Sequence, residues 1–233
     1  MSTESQNIWY FAYGSNIKAE RFFYYILGGT LGSRTYPGCS MNKAVPETSR
    51  RAQINLKIVF NRFAYLTTRP GITFGRIYRI TKEQFYHLYL QENNIERNEL
   101  SLEEQVKQVA TDAKTPYSKF LVLGTYQNEE VLTFTSPDSV PHRSGYDDYI
   151  DLIQAALYKI YDPYMVKKAC ERYQESKMKQ SLGTYAHIGV EGLSLKGTSY
   201  SPVQLGARIA HLNKEARNNP IIDLKYEMKT FEV

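Results

Sequence analysis

The chain has 233 residues, 42% hydrophobic and 23% charged, which fits one large globular domain or a domain with an appendage and argues against disorder. Its 29 Lys+Arg against 24 Asp+Glu leave a net charge of only +5 with no long basic block, which argues against nucleic acid as a partner. Two cysteines, Cys39 and Cys170, are too few for a disulfide framework or a zinc site and read as free thiols.

No apolar run approaches the roughly 18 residues that span a bilayer, and Ser2–Asn7 is polar, unlike a secretory leader. No membrane association and a cytoplasmic location are therefore expected. The 20 tyrosines, each an apolar ring with a polar tip, are expected to line half-buried surfaces or a pocket.

Ile8–Ala12 reads as an apolar strand that stops at Gly14-Ser15-Asn16, after which Lys18–Leu27 reads as a helix. A strand feeding a helix N-terminus leaves backbone N–H groups unpaired, and such a place suits an anion or a developing oxyanion. Gly14 would let a ligand approach the backbone, and Ser15 and Asn16 add short polar arms. The same residues are equally compatible with an ordinary turn whose Ser or Asn caps the helix.

Residues 28–52, rich in Gly, Pro, Ser and Arg, read as a long loop. Period-two alternation marks a strand over Ile54–Phe60, and Arg69-Pro70-Gly71 turns into a second over Thr73–Ile80. Thr81 and Gln84 form a capping box that opens a helix. Phe85, Leu88 and Tyr89 share one face of it, and Glu92, seven residues beyond Phe85, falls on that face. A carboxylate there is paired, reaches solvent at the frayed end, or sits in a pocket with a raised pKa.

Ser101 and Glu104 form a second box, opening a helix to about Ala113 with Val106, Val109, Ala110 and Ala113 inward. Lys119–Tyr126 and Glu130–Thr135 read as a hairpin with Asn128 in its turn, followed by a loop from Ser136 to Gly145. Asp148–Tyr161 is an amphipathic helix with Tyr149, Leu152, Ile153, Ala156 and Ile160 on one face. Asp162-Pro163 restarts a helix carrying Val166, Ala169, Cys170 and Tyr173. Ser201, Pro202 and Gln204 begin a helix that runs to about Arg217, and Ile222–Phe231 alternates as an antiparallel or edge strand would. Strands dominate the first part and helices the second, which indicates an α+β fold.

The run Tyr10-Phe11-Ala12-Tyr13-Gly14-Ser15-Asn16 resembles the N-terminal signature of the γ-glutamylcyclotransferase-like family. Downstream, Gly75-Arg76-Ile77-Tyr78 followed by a helix ending in Leu88-Tyr89-Leu90-Gln91-Glu92 is similar to that family's second feature, and Tyr149-Ile150-Asp151-Leu152-Ile153 resembles its tyrosine-bearing helix start. The resemblance runs in order from residue 8 to about 157. It implies a mixed β-barrel or sheet with flanking helices over 1–157, with an inserted helix near 101–113. A largely helical extension, 158–233, would end in a strand packed on the core.

The resemblance also implies Glu92 as catalytic acid/base and Tyr13, Gly14, Ser15, Asn16 and Tyr149 as substrate-binding residues, with no metal and no cofactor. The implied reaction is release of 5-oxoproline from a small-molecule γ-glutamyl amine, amino acid or peptide. A non-catalytic small-molecule or protein-binding regulatory module on the same scaffold is the alternative. Where the family has Gly after the catalytic Glu, this chain has Asn93-Asn94, and Asn tolerates left-handed geometry.

Other patterns carry less. Gly192–Ser199 lacks the lysine of a phosphate loop, and Gly28–Gly32 has the wrong glycine spacing for a dinucleotide site. His87, His142, His187 and His211 show no paired metal-ligand spacing, and His87 reads as exposed or structural. Ser15 lacks the surroundings of a hydrolase nucleophile. Cys170 reads as core. The Lys167, Lys168, Arg172, Lys177 and Lys179 face reads as a solvated helix surface.

Overall fold

The computed structural model describes residues 6–61, 63–112, 115–136, 147–174 and 191–226, with side chains placed at all of these but 147, 148 and 170–174. The expected inward positions of Ala113, Cys170 and Tyr173, the loop after Ser136, and the end of the last strand lie outside these residues. So do His142, His187 and the side chains of Arg172, Lys177 and Lys179.

The architecture is α+β. Strand β1 (Asn7–Ala12) lies inside a six-stranded mixed sheet because Ile8–Ala12 is buried on both faces. It pairs antiparallel with β7 (Thr73–Thr81) and parallel with β9 (Glu129–Thr135). Outward from β7 come β4 (Ser49–Ile54) and the edge strand β10 (Ile222–Leu224), and outward from β9 comes β8 (Lys119–Tyr126). Strand β7 must approach β1 closely at Gly75, where a Cβ would lie 2.5 Å from the Ala12 carbonyl oxygen. The sheet curls until its two edges near each other: a Cβ on Gly124 of β8 would come 3.5 Å from the carbonyl oxygen of Lys225, just past β10.

Three departures from the sequence reading stand out. The stretch read as a loop holds a hairpin, β2 (Gly29–Leu31) with β3 (Arg34–Tyr36), and then β4. The single strand read over 54–60 is two: β4 ends at Ile54 and β5 (Lys57–Asn61) begins past a bend, pairing with β6 (Phe63–Thr67). Period two continued through the bend, so alternation alone did not show the break. Strand β10 is an edge strand, but it runs parallel to β4.

The helices follow their capping signals. Boxes at Thr81/Gln84, Ser101/Glu104 and Ser201/Gln204 have both reciprocal bonds and open α2 (Lys82–Glu92), α3 (Leu102–Thr111) and α6 (Pro202–Asn218). Helix α1 (Ala19–Leu27) is buried at every position but Arg21. Helices α4 (Asp147–Tyr158) and α5 (Pro163–Gln174) follow β9.

The C-terminal elements are bonded to the sheet. Arg76 of β7 is buried and donates to Ser49 Oγ of β4 (2.8 and 3.0 Å), to Asn213 Oδ1 of α6 (2.8 Å) and to the Ile17 carbonyl (3.4 Å). Tyr161 donates to the carbonyls of Ala52 and Gly75. Among the described residues, no helix is long and apolar enough to cross a membrane.

Candidate active site

A cavity of about 170 Å³ opens where β1 ends. From Gly14 the chain enters a single 3-10 turn, Ser15–Ile17, before α1 begins. The turn fixes the side chains of Ser15 and Asn16, both buried, on the cavity wall. Glu92 reaches the same wall from the far end of α2, on the face that buries Phe85, Leu88 and Tyr89. Asn16 Nδ2 donates to Glu92 Oε1 at 2.8 Å and, more weakly, to the Tyr10 hydroxyl at 3.4 Å. Glu92 Oε2 has no hydrogen-bond partner among the described residues, and Asn16 Oδ1 is buried without one.

Tyr149 comes from α4 and closes the cavity over the loop. Its hydroxyl accepts from the Ser15 amide at 3.3 Å. A Cβ on Gly14 would lie 2.8 Å from that hydroxyl oxygen, so a larger residue here would push Tyr149 off the loop; its φ of −106° is open to any residue. Tyr13 lines the cavity with its ring, while its hydroxyl is committed to the Phe134 carbonyl at 2.8 Å. The six positions singled out in the sequence thus share one cavity.

The sequence reading missed several wall residues. Tyr10 belongs to the motif and was read only as strand. Phe63 begins a strand that was not anticipated, and Tyr117 precedes β8. Arg21 and Arg34 also line the cavity. Arg34 Nη2 donates to the Gln91 carbonyl at 2.8 Å, and its guanidinium lies 4.7 Å from the Tyr36 ring centre. Arg21 has no hydrogen bond or ion pair among the described residues, and its Nε is buried without a partner. Its place in the first turn beside Glu20, with only apolar and aromatic residues after it in the helix, was the signal available for it.

Burial, and then the Glu92 charge, push the Tyr10 phenol well above its ordinary pKa; the same two causes, in the same order, raise Tyr149. Both stay protonated at neutral pH and can donate. Arg34 and Phe63 also border a second cavity of about 790 Å³ that includes Tyr36, His87, Leu90 and Ile95. No group of three His, Cys, Asp or Glu that could hold a metal occurs among the described residues.

These features define an α+β protein whose curled sheet and flanking helices set one carboxylate against a small polar loop. No family model and no curated protein matches the sequence. Among solved structures the chain is similar to YkqA from Bacillus subtilis, with 19% identity over 77% of this chain and 58% of that one and a TM-score of 0.42. It is similar to a gamma-glutamyl cyclotransferase at 16% identity over 77% of this chain and 93% of that one, TM-score 0.43. An uncharacterized protein from Homo sapiens aligns at 15% identity over 77% and 92%, TM-score 0.39. The chain spans less than two thirds of the length of YkqA.

Proposed function

We propose that this chain is a γ-glutamylcyclotransferase-type enzyme. It would convert a γ-glutamyl amine, amino acid or peptide into 5-oxoproline and the free amine. One observation carries the reading: the 2.8 Å hydrogen bond from Asn16 to Glu92, which joins the glycine-loop motif to the only carboxylate that the described residues place on the cavity wall.

The chemistry needs no cofactor. The substrate α-ammonium loses one proton to solvent, and Glu92 Oε2 takes a second as the amine attacks its own γ-carbonyl carbon and closes a five-membered ring. The oxyanion that forms is met by donors fixed before the reaction, the Tyr149 phenol and the amides at the start of the 3-10 turn. The Ser15 amide bond to Tyr149 is long, so the oxyanion can displace it. When the intermediate collapses, the bond from the γ-carbon to the leaving nitrogen breaks, and Glu92 returns its proton to that nitrogen. Asn16 holds Oε1 throughout, leaving Oε2 to carry the proton. Holding the substrate folded supplies much of the rate, because attack is intramolecular. The leaving amine would lie toward the larger cavity beyond Phe63 and Arg34.

The test is 5-oxoproline release from a panel of γ-glutamyl amino acids, peptides and amines. Glu92→Gln is expected to lower kcat/KM by about 10²–10⁴ with an unchanged melting midpoint. Equal release by both proteins would end this mechanism. No release by the wild type from any panel member would favour the non-catalytic binding module.

A further inference from the structure

We infer that Arg21 binds the α-carboxylate of the γ-glutamyl group and so sets the enzyme's demand for a free α-carboxylate; this rests on the γ-glutamyl reading of the cavity given above. The α-carbon of such a substrate carries an ammonium and a carboxylate on one atom. Its site therefore needs a negative and a positive group within a few ångströms of a common point, without those two groups neutralising each other. The cavity has that arrangement. Glu92 is held by a neutral amide, Asn16, and makes no ion pair with either guanidinium on the wall.

Of those two guanidiniums, Arg34 is already engaged by the Gln91 carbonyl and the Tyr36 ring. Arg21 is not engaged. Its Nε is sealed from water without an acceptor, and no carboxylate or carbonyl among the described residues bonds it. A charge withdrawn from water without a partner is costly to keep. Elsewhere in the fold Arg76 is met by Ser49 and Asn213, and Glu20 by Lys159 at 2.7 Å. An arginine left open on the wall of a cavity suits a planar anion that supplies two acceptors, and a carboxylate does so.

The experiment compares each γ-glutamyl compound with its analogue in which the α-carboxylate is a carboxamide, using wild type, Arg21→Lys and Arg21→Gln. Binding of 5-oxoproline and of its carboxamide is measured alongside by calorimetry. Wild type is expected to favour the carboxylate by roughly 10- to 100-fold in kcat/KM, of the size a lost charge-assisted contact gives. In Arg21→Gln that preference should collapse to a few-fold, mainly through KM, and Arg21→Lys should restore part of it. Because Arg21 makes no hydrogen bond or ion pair among the described residues, the melting midpoint of Arg21→Gln should lie close to that of wild type.

If Arg21→Gln slows both substrates equally, or its midpoint falls sharply with the preference intact, the assignment of Arg21 is wrong while the cyclotransferase reading stands. If wild type releases nothing but binds 5-oxoproline over its carboxamide through Arg21, the catalytic reading fails and the anchor stands. If wild type neither releases product nor binds 5-oxoproline, both fail.

Discussion

His87 shows how one residue's neighbours settle its chemistry. The sequence left it exposed or structural, and the structure buries it. Arg97 Nη2 lies 3.2 Å from His87 Nε2. A guanidinium can only donate, so Nε2 accepts and the ring proton sits on Nδ1. Ser40 Oγ, also 3.2 Å from Nε2, then donates to it as well. Burial, and then the Arg97 charge, bring the His87 pKa down to about 4, although the Glu83 carboxylate 3.4 Å away works in the opposite direction. Between about pH 6.5 and 4 the unfolded chain therefore binds a proton at this residue that the folded chain does not. Stability is full above pH 6.5 and falls as the pH drops through that window, by roughly 3 kcal/mol at this residue. Denaturant titrations at a series of pH values should show that slope, and His87→Gln should flatten it.

At the scale of elements, the end of α2 decides where Glu92 points. Asn94 takes the left-handed conformation, φ 55°, so the turn the sequence anticipated is made. Asn93 does something a glycine cannot. Its side chain donates to the Tyr117 carbonyl (3.0 Å) and accepts from the Tyr117 amide (2.8 Å), as a strand partner would. This pair clamps the Glu92 end of α2 to the segment entering β8. Asn93→Ala should cost about 2 kcal/mol, because it leaves a buried amide and carbonyl unpaired, and under the proposed function it should lower 5-oxoproline release by loosening Glu92. Asn94→Gly should leave the midpoint nearly unchanged, since glycine adopts this φ freely. Thermal melts of the two variants check both expectations.

The elements legible in the sequence were those with local signals. Three capping boxes gave the starts of α2, α3 and α6 because both halves of each box lie within four residues. Asn128, at φ 62°, sits in the turn of the β8–β9 hairpin as its residue type suggested. The β2–β3 hairpin and β6 were not legible. Two of them are three-residue strands, and β6 is tied to the fold through Thr135, whose hydroxyl accepts from the Leu66 amide and donates to its carbonyl. That partner is 69 residues away in the chain, beyond the reach of any local pattern.

For the molecule as a whole, the bonds of Arg76 and Tyr161 make the helical C-terminal part continuous with the sheet. Glu215 of α6 adds to them, accepting from the Thr48 hydroxyl (2.7 Å) and the Ser49 amide (3.0 Å) and pairing with Arg50. We propose that the described residues on either side of position 158 unfold together. Trp9, buried in the central strand, is the sole tryptophan and reports on the sheet. Asn213→Ala, which deprives Arg76 of its α6 acceptor, should cost about 1–3 kcal/mol and shift the Trp9 fluorescence and helical circular dichroism midpoints together. Separate midpoints would mean that the C-terminal part folds independently.

The sequence by itself determined the α+β composition, the capped helices and the order of the two motifs, because hydrophobic period, caps and turns are set by neighbours along the chain. Only the tertiary structure decided that Asn16 meets Glu92. That contact depends on α2 lying across the end of β1, which is fixed by how the curled sheet buries its faces. It also decided that Arg21 faces a cavity with no hydrogen bond or ion pair among the described residues while Arg76, the same residue type, is satisfied in the core. What distinguishes them is the acceptors brought by distant segments, and no spacing along the chain records those.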